Sequence, residues 1–324
     1  MSRSVERRWQ LPIDLPIDFS SWVVNRWSGY WTNIGRRSLV VAIALCLGSC
    51  TATVTEATEV TEMALSEALE QPQDLRKGPV QVRFRYRQDA EAWGGEVQYT
   101  LFYNGQPQLE QTQETTAQGA VSLEDVDADG IAEAIVEIHS GGAHCCTSHI
   151  IHRWQGDRFE TIDTGFRDRG GGGFRDLDGD GRLEFVSFDN AFLYAFSSYA
   201  GSFPPSQILA LQDGQFVDVT RQYPEELRAI ANQMREAIAQ VQAEPANENE
   251  INGLLAGYVA QMILLGEYEQ GWAFMLDNYD RTSDWGLEIY EGDQVVGYHA
   301  DFPTALKAFL IQHGYLTPEG LAAP

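Results

Sequence analysis

Two nine-residue segments, DVDADGIAE at positions 125–133 and DLDGDGRLE at 176–184, share the pattern D-x-D-x-D-G-x-x-E. Three carboxylates at alternate positions, a glycine and a further acid make a loop that curls around a hard cation. Calcium takes several oxygen ligands at about 2.3–2.6 Å. Asp125, Asp127, Asp129 and Glu133 supply carboxylates, and Ile131 a backbone carbonyl. Asp176, Asp178, Asp180 and Glu184, with the carbonyl of Arg182, repeat the set. Gly130 and Gly181 permit a bend that a side chain resists. One such loop alone is compatible with a solvated acidic turn. Two in the same register, each leading into a strand-like run (AIVEI at 134–138, FVSF at 185–188), favour two Ca2+ sites. An EF-hand is excluded, because it needs a bidentate Glu at the twelfth position, where Val136 and Ser187 stand.

Over residues 125–188 the chain resembles the calcium loops of FG-GAP or VCBS repeats, the blade motif of integrin-type β-propellers. The resemblance implies that the eight carboxylates named above bind Ca2+. A propeller typically takes about four to eight blades. Two loops point instead to a smaller β domain, a partial propeller or sandwich built on two related units.

The 324 residues carry a net charge of −25. The first fifty have six basic and three acidic side chains, so the remainder is more acidic than the whole. Such a body is repelled by nucleic acid and by anionic lipid, and it suits a calcium-containing compartment.

Arg36 and Arg37 precede an apolar run, SLVVAIALCL at 38–47, then Gly48, Ser49 and Cys50. The run is too short for the roughly 20 residues of a membrane-spanning helix and has the length of a signal-peptide core. LGSC at 47–50 resembles a bacterial lipobox, which implies cleavage before Cys50 and lipidation of its thiol. An ordinary secretion signal or a buried strand is the alternative. Residues 1–35 form an unusually long, Trp-rich lead-in. The expected location is the bacterial cell envelope, lipid-anchored and facing periplasm or cell surface. Residues 51–77, rich in Thr, Glu and Ala, read as a flexible tether, with a short helix at 64–69.

From 78 to 221 the pattern is β. VQVRFRYR at 80–87 alternates apolar and polar, as does 95–103, and Asn104-Gly105 is a hairpin turn. Further strands are expected near Val121 and at 134–138, 148–154, 158–162, 184–188, 191–197, 207–211 and 215–219. Within them lies HSGGAHCCTSHIIH at 139–152, which holds four of the six histidines. If Cys46 is removed and Cys50 lipidated, Cys145 and Cys146 are the remaining thiols. Three readings stand: a vicinal disulfide with His139, His144, His149 and His152 as hydrogen-bonding residues; a Zn2+ or copper site; or a catalytic or redox centre. On a strand, His149 and His152 point to opposite faces. Arg167 to Arg175 brackets a glycine run that reads as a flexible connection rather than an anion grip. The aromatic residues of 191–205 either line a binding surface or pack in the core. No Gly-x-Ser-x-Gly, His-Glu-x-x-His or dinucleotide fingerprint is present.

At Pro224 the texture becomes helical, with an apolar stripe at Leu227, Ile230, Met234, Ile238 and Val241. Helices are expected at 224–243, 250–265, 267–279 and 303–313, with a short hairpin at 288–297. The predicted fold is α+β: an antiparallel β domain (78–221), then a small helical domain (222–324). The predicted function is an envelope-anchored binding module for a protein or glycan partner, with Ca2+ structural. The alternative is a metal- or thiol-dependent enzyme using residues 139–152.

Overall fold

The alternation at residues 80–88 is realised in an antiparallel sheet. A computed structural model describes residues 61–65, 71–89, 94–142, 146–168, 171–243 and 251–323. The leader, Cys50, His144 and Cys145 lie outside these. The first strands are β1 (Glu62–Ala64), β2 (Gln73–Lys77), β3 (Val80–Gln88), β4 (Gly95–Tyr103) and β5 (Gln106–Thr115). β2 to β5 form one sheet in chain order. Val80, Val82, Phe84 and Tyr86 of β3 are buried on one face while the arginines between them face out. Asn104 and Gly105 turn the chain at φ 48° and 75°, as a two-residue hairpin requires.

The second sheet adds β6 (Ala120–Glu124), β7 (Glu133–His139), β8 (Thr147–Trp154) and β9 (Phe159–Asp163). Its order is β1-β6-β7-β8-β9. The third contains β10 (Gly173–Arg175), β11 (Glu184–Phe188), β12 (Ser206–Gln212) and β13 (Gln215–Asp218), again in chain order. Every pairing is antiparallel. Each acidic loop closes the first hairpin of its four-strand meander, β6–β7 or β10–β11.

The three sheets stack. Val82, Phe84, Tyr99 and Leu101 of the first meet Val121, Leu123, Val136 and Ile150 of the second in one core. On the opposite face of the second sheet, Ile135 and Ile151 pack with Val126, Leu211, Phe174 and Phe216. β7 and β8 are therefore buried on both faces. Each fully buried aliphatic or aromatic side chain contributes about 1.5–3 kcal/mol.

Two expectations are corrected. The tether does not run to Lys77. β1 pairs with β6, β2 pairs with β3, and Leu65 and Leu75 are buried. The sheet edges supply hydrogen-bond partners that a polar composition does not reveal. Ala64 ends a strand rather than starting a helix, and 66–69 lie outside the described residues. Residues 191–197 are also not a strand. Asp189 accepts a hydrogen bond from the Ala191 N–H (3.0 Å) and opens a 3-10 turn, Asn190–Phe192. Phe192 and Phe196 then turn inward against the last helix, edge-on to Phe309. The aromatics Phe192 and Phe196 are thus core.

The helices are α1 (Pro224–Ala243), α2 (Ile251–Leu264), α3 (Tyr268–Asn278) and α4 (Phe302–Gln312), with hairpin β14 (Glu288–Glu291) and β15 (Gln294–Tyr298) before α4. Pro224 with Glu225 and Glu226 starts α1. Asp301 caps α4 by accepting from the Thr304 N–H at 2.9 Å. α2 is apolar all round and buried along its length, which a helix enclosed by others requires. Its one amide in mid-helix, Gln261, accepts from the Ser206 N–H (2.9 Å) and donates to the Leu227 carbonyl (2.9 Å), fastening α2 to β12 and α1. Among the described residues, no helix is long and apolar enough to cross a membrane. The chain is α+β as predicted, antiparallel sheets followed by a small helical region, with no closed barrel.

Candidate metal centres

The two acidic loops fold by closely related hydrogen-bond schemes, the leading aspartate accepting from the fifth and sixth residues in the first and from the fourth and sixth in the second. In the first, the two oxygens of Asp125 accept from the Asp129 N–H (3.1 Å) and the Gly130 N–H (3.0 Å), and Asp129 accepts from the Ile131 N–H (2.8 Å). In the second, Asp176 accepts from the Gly179 N–H (2.7 Å) and the Gly181 N–H (3.2 Å), and Asp180 accepts from the Arg182 N–H (2.8 Å). Gly130 (φ 88°) and Gly181 (φ 91°) make the same left-handed bend. Two positions before each, the first loop has Ala128 at φ 56° where the second has Gly179 at φ 80°. An alanine side chain in that region costs about 1–2 kcal/mol. Ala128→Gly is expected to stabilise the protein by about 1 kcal/mol, read as a higher denaturant midpoint at unchanged slope in chelator.

Glu133 and Glu184 anchor their loops alike. One oxygen of Glu133 accepts from the Val126 N–H (2.8 Å), and one of Glu184 from the Leu177 N–H (3.0 Å). Their second oxygens differ. Glu133 is fully buried and its Oε1 has no hydrogen-bond partner. It belongs with Asp125 and Asp127 to a group whose ligand atoms all lie within 4.8 Å of one another. Burial above all, then the charges of Asp127, Asp129 and Asp125, push its pKa up to about 8 against the Val126 hydrogen bond. A buried unsatisfied carboxylate oxygen costs several kcal/mol unless a proton or a cation meets it. Calcium at this point fits the donor set: all oxygen, all acidic.

Asp129 stands outside that group. Arg153, on β8, reaches in and pairs Nε with Asp127 Oδ2 at 2.7 Å and a terminal nitrogen with Asp129 Oδ2 at 3.5 Å. In the second loop Asp176, Asp178 and Asp180 form the compact group, all exposed, and Glu184 does not belong to it. The Tyr223 hydroxyl donates to Glu184. Burial and this carboxylate raise the tyrosine pKa above its ordinary value. Arg175, just before the loop, pairs with Glu226 of α1 at 2.5 Å. The second loop is thereby tied to the start of α1. Ile131 packs its side chain against the first core, while Arg182 is exposed. Arg153 and Tyr223 were not anticipated from sequence. Their signal is positional, one at the end of a strand opposite the first loop and one immediately before a helix.

The described histidines of 139–152 do not converge; His144 and Cys145 lie outside the described residues. His139 Nδ1 accepts from the Gly141 N–H at 3.1 Å. His152 lies on the face of β8 toward the first sheet, between the Tyr99 hydroxyl (2.8 Å) and Thr161 Oγ1 (3.0 Å). His149 lies on the other face, edge-on to Phe185, with Nε2 3.6 Å from Glu137 Oε2. These three rings do not meet at one ion. Cys146 is disulfide-bonded, and Ser140 and Cys146 close the segment's base through paired hydrogen bonds, 3.0 Å from the Ser140 N–H to the Cys146 carbonyl and 2.9 Å from the Cys146 N–H to Ser140 Oγ. Arg167 is occupied by the Gln207 side chain (2.5 Å) and the Thr164 carbonyl (3.2 Å), so its guanidinium serves the fold.

Burial lowers the pKa of His152 from 6.5 to about 4. The unfolded chain therefore takes up the proton first, and folding stability falls as pH drops from 6.5 toward 4. Each tenfold difference in proton affinity between the two states is worth about 1.4 kcal/mol, so the loss reaches about 3 kcal/mol. Unfolding measured across that range in wild type and His152→Gln checks it: the variant is expected to lose this part of the acid slope.

The chain belongs to the sll0997 family. A family model described as the sll0997 C-terminal domain matches residues 227–314, the span of the four helices and the last hairpin. The probable thylakoid lumen protein sll0997 of Synechocystis sp. (strain ATCC 27184 / PCC 6803 / Kazusa) is 36% identical over 262 residues, covering 75% of each chain. The uncharacterized protein y4bJ of Sinorhizobium fredii (strain NBRC 101917 / NGR234) is 33% identical over 197 residues, 58% of this chain but 30% of that protein. No solved structure matches.

Proposed function

We propose that this protein is a calcium-stapled binding module of an extracytoplasmic compartment. The observation that carries the reading is the buried, partnerless Oε1 of Glu133 beside Asp125 and Asp127. Calcium there neutralises the first loop, and a second ion among Asp176, Asp178 and Asp180 does the same one sheet further on. The repeated loop geometry at the first hairpin of successive meanders supports descent from FG-GAP or VCBS-type units. The similarity to a protein described as probably of the thylakoid lumen supports placement outside the cytoplasm, and the lipobox-like LGSC adds anchoring through Cys50. The ions are structural: they hold two β-hairpins in shape, and the helical region, tied to the second loop by Tyr223 and Arg175, presents the surface for a protein or glycan partner.

The test is the metal content of the full-length protein purified without chelator, by elemental mass spectrometry. Two calcium ions per chain are expected. A chain that holds none after millimolar resupply contradicts the reading. Stoichiometric zinc or copper would return attention to residues 139–152.

A further inference from the structure

The two loops are built alike but opposed differently. In the second sheet Ala134 pairs with His152, so the antiparallel register carried one step on sets Glu133 opposite Arg153. In the third sheet Phe185 pairs with Leu209, and the same step sets Glu184 opposite Ala210. Position for position, the first loop faces a guanidinium and the second a methyl group. Arg153 fills the space with charge: its side chain is 20% exposed and Asp127 11%. Beside Ala210 the second loop instead opens into a cleft lined by Asp178, Asp180, Glu184, Ala210 and Tyr223, with the exposed Arg182 of the loop itself at its edge and in no ion pair among those seen for the described residues. The first loop also holds the observation that points to an ion, the partnerless oxygen of the fully buried Glu133.

We propose that Arg153 is a tethered counter-cation of the first loop, competing there with calcium and making the two sites unequal. The inference rests on the calcium reading of the loops. A cation that binds Asp125, Asp127 and Glu133 must draw Asp127 from a guanidinium already 2.7 Å away. The displaced arginine loses a charge-assisted pair, and that loss is subtracted from the ion's affinity. In return the first loop keeps its shape when calcium is scarce, because two of its four carboxylates are already compensated. The second loop has no such insurance. Among the described residues no guanidinium or ammonium is paired with its exposed aspartates, so an ion there has no formed ion pair to break, and it stays open to the cleft.

Calcium titration calorimetry of the full-length protein tests this with reciprocal variants. One charge-assisted hydrogen bond corresponds to about tenfold in affinity. Arg153→Ala is expected to tighten one of two calcium sites about tenfold and leave the other unchanged. Arg153→Lys, which keeps the charge, stays near wild type, and Ala210→Arg weakens the other site. In chelator Arg153→Ala melts lower than wild type, and with saturating calcium the gap closes; this arm reads the counter-charge even if Ala210→Arg fails to fold. Unchanged or weakened binding in Arg153→Ala overturns the proposal, since the arginine then orients Asp127 instead of competing for it. No calcium binding in wild type or any variant overturns the calcium reading itself, a distinguishable result.

Discussion

If the proposed calcium sites are filled, removing calcium is expected to lower the thermal midpoint of the full-length protein by about 5–10 °C per site, and Glu133→Gln to abolish the first loop's share. A ligand that binds only the folded state at a hundred times its Kd stabilises by about 2.7 kcal/mol. For a domain of this size each kcal/mol is worth about 2–4 °C. Glutamine keeps the shape of Glu133 but cannot offer the carboxylate oxygen that lacks a partner. The second loop, with its own compact group of aspartates, keeps its response. The ion-free protein should also show an inverted pH dependence from this residue. Its folded pKa, about 8, lies above the ordinary 4.5, so the folded state binds the proton more tightly than the unfolded chain. Stability from this group is present below pH 4.5 and is lost as pH rises through 8, the opposite of the His152 slope. Calcium removes that loss by replacing the proton. Melting in chelator and in millimolar calcium, for both proteins, reads all of these effects.

Alanine at position 257 costs more than about 3 kcal/mol and separates the helical region from the third sheet's connection. Gly257 lies in α2, which passes directly over the segment that leads into β12. A Cβ there would sit 1.7 Å from the Phe203 carbonyl oxygen and 2.9 Å from its carbon. One turn earlier, a Cβ on Gly253 would meet the Gly201 carbonyl oxygen at 2.5 Å. Backbone blocks both, joined at Gly253 by the Ser197 Cβ at 2.6 Å, and none of these is the free end of a flexible side chain, so relief requires the whole helix to move. Moving it breaks the Gln261 hydrogen bonds to Ser206 and Leu227 and leaves a fully buried amide unsatisfied. Helix propensity alone predicts the reverse, since alanine is favoured over glycine in a helix by about 1 kcal/mol. A lower denaturant midpoint for Gly257→Ala is therefore decisive, and an unchanged or higher one contradicts the packing.

The strand alternation at 80–88 and 95–103, the Asn104-Gly105 turn, the apolar stripe of α1 and the repeated acidic loop could all be read directly, because each is a local pattern with a local cause. What escaped reading depends on partners far along the chain. Residues 62–64 and 73–77 look like tether because their strands are held by sheets built from later residues. Residues 191–197 look like a strand because their apolar content is set by the helix they bury against, not by a pleat. At the candidate site, the two acidic clusters were apparent, but not that Asp129 leaves the first group for Arg153 or that Glu184 serves Tyr223. The first follows from cross-strand register, which a one-residue slip would reverse; the second depends on where the residue before α1 is carried, far along the chain. The separation of His149 and His152 was legible, because the two-residue periodicity of a strand puts them on opposite faces, and β8 does send them to opposite sheets.

On the calcium reading, the buried oxygen of Glu133 waits for a cation. Calcium added to the chelator-treated protein at pH 7 should expel the proton that this residue holds with a pKa of about 8. Titration calorimetry in two buffers of different ionisation heat counts that proton directly. Close to one proton released per chain at saturation is expected in wild type, and none in Glu133→Gln. Calcium binding with no proton release, or the same release in both proteins, would contradict the assignment.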